Sequence, residues 1–217
     1  MGEHLEANGY IGLFPDGLQM SDSGYGRWVT SFNDLGSRFD DGPDGPTCTS
    51  TPYPYGAYDN CPAGEASRDC PWGTSCADDL GFFEAMIDFA GDRLTVDQDR
   101  IYMTGFSQGG QTTLGLACGL AHRLAAIAPM HGFATNGYTC GPETKLSMIQ
   151  FSGIRDSIVP EDGVSSGGLI YDHADESAEE FATTQGCEAE LSPYPTPYDG
   201  VEGMVCMQHA DCDTGAS

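Results

Sequence analysis

The sequence predicts an α/β fold in which helices flank a mostly parallel sheet. Three short runs favour strands, at residues 100–104, 125–130 and 146–151, and the last two have the composition of parallel strands buried on both faces. Segments with a helical spacing of apolar residues alternate with these runs. Because such alternation is typical of a sheet covered by helices, we expect residues 1–217 to form a single domain of this class.

The chain before residue 78 has little regular pattern. We expect a helix end over residues 1–7, a buried strand over residues 10–14 and then a turn. Residues 17–78 are rich in Gly, Pro, Ser, Asp and Tyr without periodicity, which predicts a long loop. Disulfides from four cysteines would staple this loop: Cys48, Cys61, Cys70 and Cys76. Its aromatic side chains make it either a substrate-contact surface or a purely structural excursion.

Regular patterns begin at residue 78. Apolar residues recur at helical spacing over residues 80–90, behind two aspartates that suit a helix N-terminus. A second helical pattern follows residues 105–110 and includes Leu114, Ala117, Leu120 and Ala121. A third covers residues 177–184. A short β-like piece is expected at residues 204–206.

The charge of the chain argues against two classes of partner. The formal net charge is −25, from 33 acidic and 8 basic side chains. Nucleic acids and anionic lipid surfaces would be repelled by it, and a saline habitat is consistent with it. No apolar stretch reaches about 18 residues, so we expect no membrane span.

The nine cysteines favour disulfides over a metal site. They lack the paired C-x-x-C spacing of structural zinc, and the acidic segment 40–45 lacks the ligand spacing of a calcium-binding EF-hand loop. Disulfides indicate an oxidising compartment, although residues 1–6 are polar and acidic, unlike a signal peptide. An odd number of cysteines also leaves one without a partner inside the chain.

The strongest chemical motif is Gly105-Phe106-Ser107-Gln108-Gly109, a G-x-S-x-G between a predicted strand and a predicted helix. Glycines on both sides permit a sharp turn that exposes the serine hydroxyl at a helix N-terminus. Ser107 is therefore the candidate nucleophile. The backbone N–H of Gln108 is the candidate donor to an oxyanion.

A nucleophilic serine needs a base and a carboxylate that orients the base. Asp156 follows the predicted strand 146–151, at the sheet edge where α/β sites assemble, and it is the candidate acid. In this fold the base usually follows the acid in the chain, which disfavours His4, His122 and His131. His173 opens a predicted helix, and His209 alone lies late enough. It stands in a small cysteine-bounded loop, where a surface role is an equal alternative.

Four segments together resemble a known family. Residues 78–82, 97–110, 116–129 and 153–160 are similar to the secreted polyhydroxybutyrate depolymerase and feruloyl esterase group of α/β-hydrolases. Arg155 stands where that group more usually has a small residue. The resemblance runs from about Gly9 to Pro160 and continues more weakly to Cys212.

The resemblance implies an α/β-hydrolase fold with Ser107 as nucleophile and Asp156 as acid. It also implies a disulfide between Cys118 and Cys140. The group has further strands and a His-Gly oxyanion segment ahead of the region that resembles residues 1–17. It also has a Gly-His base beyond a turn like residues 212–217. We therefore expect a chain that is incomplete at both ends, with its base either beyond residue 217 or at His209.

The expected function is that of an extracellular serine esterase that forms an acyl-enzyme. Its substrates would be polyesters or feruloylated polysaccharides, as the resemblance implies, and the chemistry requires no metal or organic cofactor. Two alternatives remain open. One is a catalytically silent binding domain of the same fold, and the other is a serine peptidase, because the motif alone does not separate ester from amide cleavage.

Overall fold

The computed structural model describes residues 2–22, 27–32, 57–58, 70–71, 77–132, 145–162, 173–195 and 203–213. The helices in these ranges are α1 (Gly2–Ala7), α2 (Asp79–Arg93), α3 (Gln108–Leu120) and α4 (Ala174–Thr184). The strands in the same ranges are β1 (Leu18–Asp22), β2 (Arg27–Ser31), β3 (Ala57–Tyr58), β4 (Cys70–Pro71), β5 (Tyr102–Phe106), β6 (Ala126–Met130), β7 (Ser147–Met148), β8 (Leu191–Pro193) and β9 (Met207–His209).

The central sheet is parallel and has the strand order β5-β6-β7. Phe106, the last residue of β5, pairs with Met130, the last residue of β6. A further parallel bridge joins Met130 to Phe151, beyond β7. The carboxyl ends of all three strands therefore meet at one edge, and α3 connects β5 to β6, which confirms the predicted α/β class.

The hydrophobic core lies between α3 and its neighbours. Leu116, Ala117 and Leu120 of α3 are completely buried. They belong to one cluster with Phe83 of α2 and Ile127 of β6. The helical spacing in the sequence therefore identified the buried faces of both helices.

The start of α2 follows from its sequence. The Asp78 side chain accepts a hydrogen bond from the Gly81 backbone N–H at 2.9 Å, which satisfies one of the unpaired donors of the first turn. Asp79 adds a negative charge there, favourable for the helix dipole.

The buried strand predicted at residues 10–14 is wrong. The structure has no strand there, and the large side chains are exposed, with Phe14 at 69%. The described strand that pairs with β5 is β6, and the Tyr10 ring lies 6.4 Å from the ring of Tyr102 in β5. An apolar run whose backbone is not paired forms no strand.

The predicted long loop 17–78 contains strands. β1 and β2 form an antiparallel hairpin, and β3 pairs with β4. Strands of two to five residues give a weak sequence pattern, so the prediction of loop throughout was wrong. Cys48, Cys61 and Cys76 lie outside the described residues, and the disulfide staple stays a prediction.

The described part of the chain after β7 contains α4 and the antiparallel pair of β8 and β9. The predicted third helix is confirmed as α4, whereas the β-like piece expected at residues 204–206 is instead a strand at Met207–His209. A disulfide joins Cys187 to Cys212. In the described ranges, no helix has the length and apolar character needed to cross a membrane.

Lys145 connects this region to the sheet. It immediately precedes Leu146 and β7, and its Nζ donates to the Thr184 carbonyl at 3.0 Å. The same Nζ lies 3.2 Å from Asp213 Oδ2. Both partners belong to the carboxyl-terminal part of the chain, which is thereby held at the amino edge of the sheet.

Candidate active site

Ser107 lies at the turn between β5 and α3, at the carboxyl edge of the sheet. Its backbone has φ 55° and ψ −119°, a conformation that a non-glycine residue rarely adopts. Three backbone hydrogen bonds hold the turn. The Ser107 N–H donates to Met130 O at 2.9 Å, and the N–H groups of Gly110 and Gln111 donate to Ser107 O at 2.8 and 3.1 Å. The Ser107 side chain makes no capping bond to α3. The turn thus carries a hydroxyl that the helix does not use.

The glycines around Ser107 have different roles. A Cβ on Gly105 would collide with the backbone carbonyl of Gly109, so the strand and the helix approach each other too closely for any side chain. A Cβ on Gly110 would lie 2.8 Å from Met130 O. A Cβ on Gly109 would meet nothing within 4 Å. Close packing therefore requires glycine at positions 105 and 110, and leaves position 109 unconstrained.

Gln108 is the first residue of α3, where backbone N–H groups have no partner within the helix. Its side-chain amide donates to the hydroxyl of Ser31, which is buried at the end of β2. The β1–β2 hairpin, part of the predicted excursion, is therefore anchored to the residue next to Ser107.

Asp156 lies in the segment that follows β7. Its Oδ1 accepts hydrogen bonds from the backbone N–H groups of Val159 at 3.0 Å and Ile158 at 2.8 Å. These bonds, Val159 first, lower the pKa of Asp156, and a hydrogen bond from His131 lowers it further, whereas partial burial opposes the shift. Asp156 is therefore a carboxylate at neutral pH.

The structure brings Asp156 to His131. The His131 Nδ1 lies 2.9 Å from Asp156 Oδ2, and the side chains are 30% and 20% exposed. His131 directly follows β6 and has φ 48°, and its N–H donates to Phe151 O at 2.9 Å. A Cβ on Gly153 would lie 2.8 Å from the imidazole Cε1. The imidazole therefore lies between the Asp156 carboxylate and the backbone of Gly153.

Chain order disfavours His131 as the base, because it precedes Asp156 in the sequence. A spatial signal was present: residues that directly follow neighbouring parallel strands share one sheet edge. His209, the other histidine considered, lies in β9, where its Nδ1 is 3.0 Å from Glu188 O. The structure does not bring His209 into a described hydrogen bond with Asp156.

Exposed large apolar side chains belong to residues at or just beyond the carboxyl edge of the sheet. We call the set the apolar rim, and it consists of Phe106 (65% exposed), Phe151 (44%), Ile154 (75%) and Ile158 (66%). The Phe106 ring lies 5.4 Å from the His131 ring. Exposed apolar side chains grouped at one edge are typical of a binding surface.

Cys118, on α3, is disulfide-bonded. Its predicted partner Cys140 lies outside the described residues, as do the acidic residues 40–45. Across the ranges that the structure describes, no three His, Cys, Asp or Glu side chains are grouped to hold a metal ion. The absence of a metal requirement stays a prediction.

Sequence comparisons connect the chain to esterases. Feruloyl esterase C of Emericella nidulans is 28% identical over 141 residues, which are 65% of this chain and 47% of the relative. Probable feruloyl esterase C of Aspergillus flavus is 29% identical over 121 residues, 56% of this chain and 41% of the relative. Feruloyl esterase B of Piromyces equi is 29% identical over 163 residues, 71% of this chain and 29% of the relative. The chain is similar to feruloyl esterases.

These similarities support an esterase relationship and ester hydrolysis at family level. The matched region spans less than half the length of each of these curated relatives. No family model matches the chain. The polyhydroxybutyrate depolymerase part of the resemblance and the incompleteness of the chain stay predictions.

Proposed function

We propose that the chain is a serine carboxylic ester hydrolase of the α/β-hydrolase fold, with Ser107 as its nucleophile. The observation that carries this proposal is the Ser107 turn, where a non-glycine residue has φ 55° between a parallel strand and a helix. That turn is what a G-x-S-x-G nucleophile needs in this fold. The similarity to feruloyl esterases independently supports ester hydrolysis.

The proposed reaction proceeds through an acyl-enzyme. The Ser107 oxygen attacks the ester carbonyl carbon while a base takes the hydroxyl proton, and the carbonyl electrons move onto the oxygen. The Gln108 N–H at the start of α3 stabilises this oxyanion, assisted by the helix dipole. Collapse of this tetrahedral intermediate releases the alcohol, and water then hydrolyses the acyl-enzyme. Ionised Asp156 orients the base.

The proposed substrates are feruloyl esters of plant polysaccharides. Ferulic acid has an aromatic ring, and the apolar rim beside Ser107 offers exposed Phe and Ile side chains for an aromatic acyl group. Polyesters are the second substrate class carried by the resemblance. We further propose that the protein is extracellular, because its Cys187–Cys212 disulfide and bonded Cys118 suit an oxidising compartment.

One experiment tests the nucleophile. The chain is incubated with a fluorophosphonate probe, and separately with p-nitrophenyl acetate and with methyl ferulate. Ser107→Ala is expected to abolish probe labelling and to lower ester turnover by more than about 1,000-fold. The matched control is Ser192→Ala, in β8, which removes a serine hydroxyl from another part of the chain and is expected to leave labelling unchanged.

The outcomes separate the alternatives. Labelling that survives Ser107→Ala would contradict the nucleophile assignment. A wild-type chain that takes no probe and cleaves neither ester would favour the silent binding domain. Cleavage of a peptide library in place of both esters would favour the serine peptidase.

A further inference from the structure

His131 and Ser107 are neighbours across the sheet. The paired residues Phe106 and Met130 end β5 and β6, so the next residue of each strand lies at the same edge. The Ser107 N–H donates to Met130 O at 2.9 Å, which fixes this register. A Cβ on Gly132 would also lie 2.7 Å from Gly110 C and in close contact with Ser107 O, so residues 131–132 pack directly on the Ser107 turn.

The hydrogen bond between His131 and Asp156 has the donor–acceptor direction found in a catalytic triad. An ionised carboxylate only accepts hydrogen bonds, so the proton of the 2.9 Å contact belongs to His131 Nδ1. In a neutral imidazole bound in this way, Nε2 is the unprotonated nitrogen, with a lone pair for an incoming proton. Asp156 is itself fixed by the Val159 and Ile158 N–H groups, so it holds the ring in this tautomer.

We propose that His131 is the general base for Ser107. This inference rests on the proposed function and assigns the base to a histidine that lies between the nucleophile and the acid in the chain. Geometry and roles define a Ser-His-Asp triad, and chain order does not, because the same arrangement occurs in several orders. Here the order is Ser107, His131, Asp156, on the ends of β5 and β6 and after β7.

The protons balance among these three residues, the ester and one water molecule. His131 Nε2 takes the proton of Ser107 Oγ as the Oγ–carbonyl carbon bond forms. The imidazolium, stabilised by Asp156, gives that proton to the departing alkoxide as the carbon–oxygen bond of the ester breaks. A water molecule then attacks the acyl carbon, loses a proton to Nε2, and Ser107 regains a proton as it leaves.

The backbone supports this role. Among the described residues, three that are not glycine have positive φ, and two of them are Ser107 and His131. Gly153 provides the space that the imidazole occupies, since a Cβ there would meet Cε1 at 2.8 Å. Conformations of this kind persist where the surrounding structure enforces them, and they cluster at active sites.

Two variants separate a base from a structural partner of Asp156. His131→Asn places an amide N–H close to the position of Nδ1, so the hydrogen bond to Asp156 is kept while the base is lost. His131→Ala opens a space that free imidazole can enter. We expect both to lower the rate of fluorophosphonate labelling of Ser107 and of p-nitrophenyl acetate turnover by about 100-fold or more. Added imidazole should restore both rates in His131→Ala and neither rate in His131→Asn.

Matched histidine variants provide the controls. His122→Ala removes an exposed imidazole near Glu84, and we expect both rates to stay at the wild-type level. His209→Ala tests the alternative base directly. Circular dichroism and thermal unfolding verify that each variant is folded. If His131→Ala does not fold, the rates of His131→Asn decide the test.

Each outcome has one meaning. Wild-type rates in folded His131→Asn would overturn the inference, because an amide cannot act as the base. If His209→Ala lost labelling and turnover while His131→Asn kept wild-type rates, the base would be His209. Labelling of wild type but not of Ser107→Ala supports the proposed function whatever the histidine variants do, whereas an unlabelled wild type overturns both proposals.

Discussion

At the scale of single residues, Ser107 and His131 have backbone conformations that cost free energy. Their φ values are 55° and 48°, and a non-glycine residue in such a region costs about 1–3 kcal/mol. Each is held by a hydrogen bond from its own N–H to a neighbouring strand, Ser107 to Met130 O and His131 to Phe151 O. The sheet therefore stabilises two unfavourable conformations at adjacent positions, which positions the two side chains that the proposed reaction uses.

Asp156 should give the fold a pH-dependent stability. Its pKa is lowered in the folded protein, so its contribution is fully present above the unfolded value of about 3.9 and is lost as the pH falls through the folded value. We expect Asp156→Asn to lower the free energy of unfolding by about 1–2 kcal/mol at pH 7. Urea denaturation at pH 7 and at pH 3 measures the difference, which should shrink at pH 3.

The control for this prediction is Asp92→Asn, an exposed position on α2. It removes the same charge from a chain of net charge −25, so it corrects for general charge repulsion. The prediction would be contradicted if the free energies of unfolding of wild type and Asp156→Asn differed as much at pH 3 as at pH 7.

The candidate site was only partly predictable from the sequence. The G-x-S-x-G motif and the segment after a predicted strand led to Ser107 and Asp156, because both are marked by local pattern. His131 has no local motif. It meets Asp156 through the pairing of β6 with the chain beyond β7, and only the three-dimensional strand order provides that information.

At the scale of elements, the close contact between β5 and α3 decides which motif glycine is essential for folding. A Cβ on Gly105 would collide with the Gly109 carbonyl, and backbone cannot move aside cheaply. We expect Gly105→Ala to lower the free energy of unfolding by more than about 2 kcal/mol. Urea denaturation at pH 7 measures the change.

Gly109→Ala is the matched control within the same motif. Its Cβ would meet nothing within 4 Å, and position 109 lies inside α3, where Ala is favoured over Gly by up to about 1 kcal/mol. We therefore expect this variant to be at least as stable as wild type. Equal destabilisation by both substitutions would show that the β5–α3 contact is not the cause.

The elements that the sequence predicted correctly have either a helical spacing of apolar residues or a short apolar run. α2 and α3 follow from the helical spacing, and β5 and β6 follow from short apolar runs between the helical segments. The run at residues 10–14 is equally apolar, but strand formation depends on a partner, which pattern alone does not supply. The strands of the β1–β2 and β8–β9 pairs have three to five residues each, so they leave little periodic pattern in the sequence.

At the scale of the whole molecule, the Cys187–Cys212 disulfide closes the segment from the end of α4 to the end of the β8–β9 hairpin. The two cysteines are 25 residues apart. A loop of that length, once closed, loses enough unfolded-state entropy to add about 3.5 kcal/mol of stability. We expect the double variant Cys187→Ala, Cys212→Ala to lose about that amount in urea denaturation without reductant.

Simultaneous replacement keeps a single unpaired thiol from forming a new disulfide. It also leaves the disulfide of Cys118 in place, which a reducing agent would break as well. Wild-type stability in the double variant would mean that the hairpin is held by its hydrogen bonds alone, such as Glu188 N–H to Ala210 O at 2.9 Å.

The position of Lys145 bears on how the molecule can be attached to a solid support. It is the one lysine in the sequence, so amine-reactive coupling has a single side-chain target. It precedes β7, at the amino edge of the parallel sheet, whereas Ser107 follows β5 at the carboxyl edge. A chain immobilised through this amine would therefore be held from the far side of the sheet, with the Ser107 edge facing away from the support, and would lose the ammonium contacts with Thr184 and Asp213.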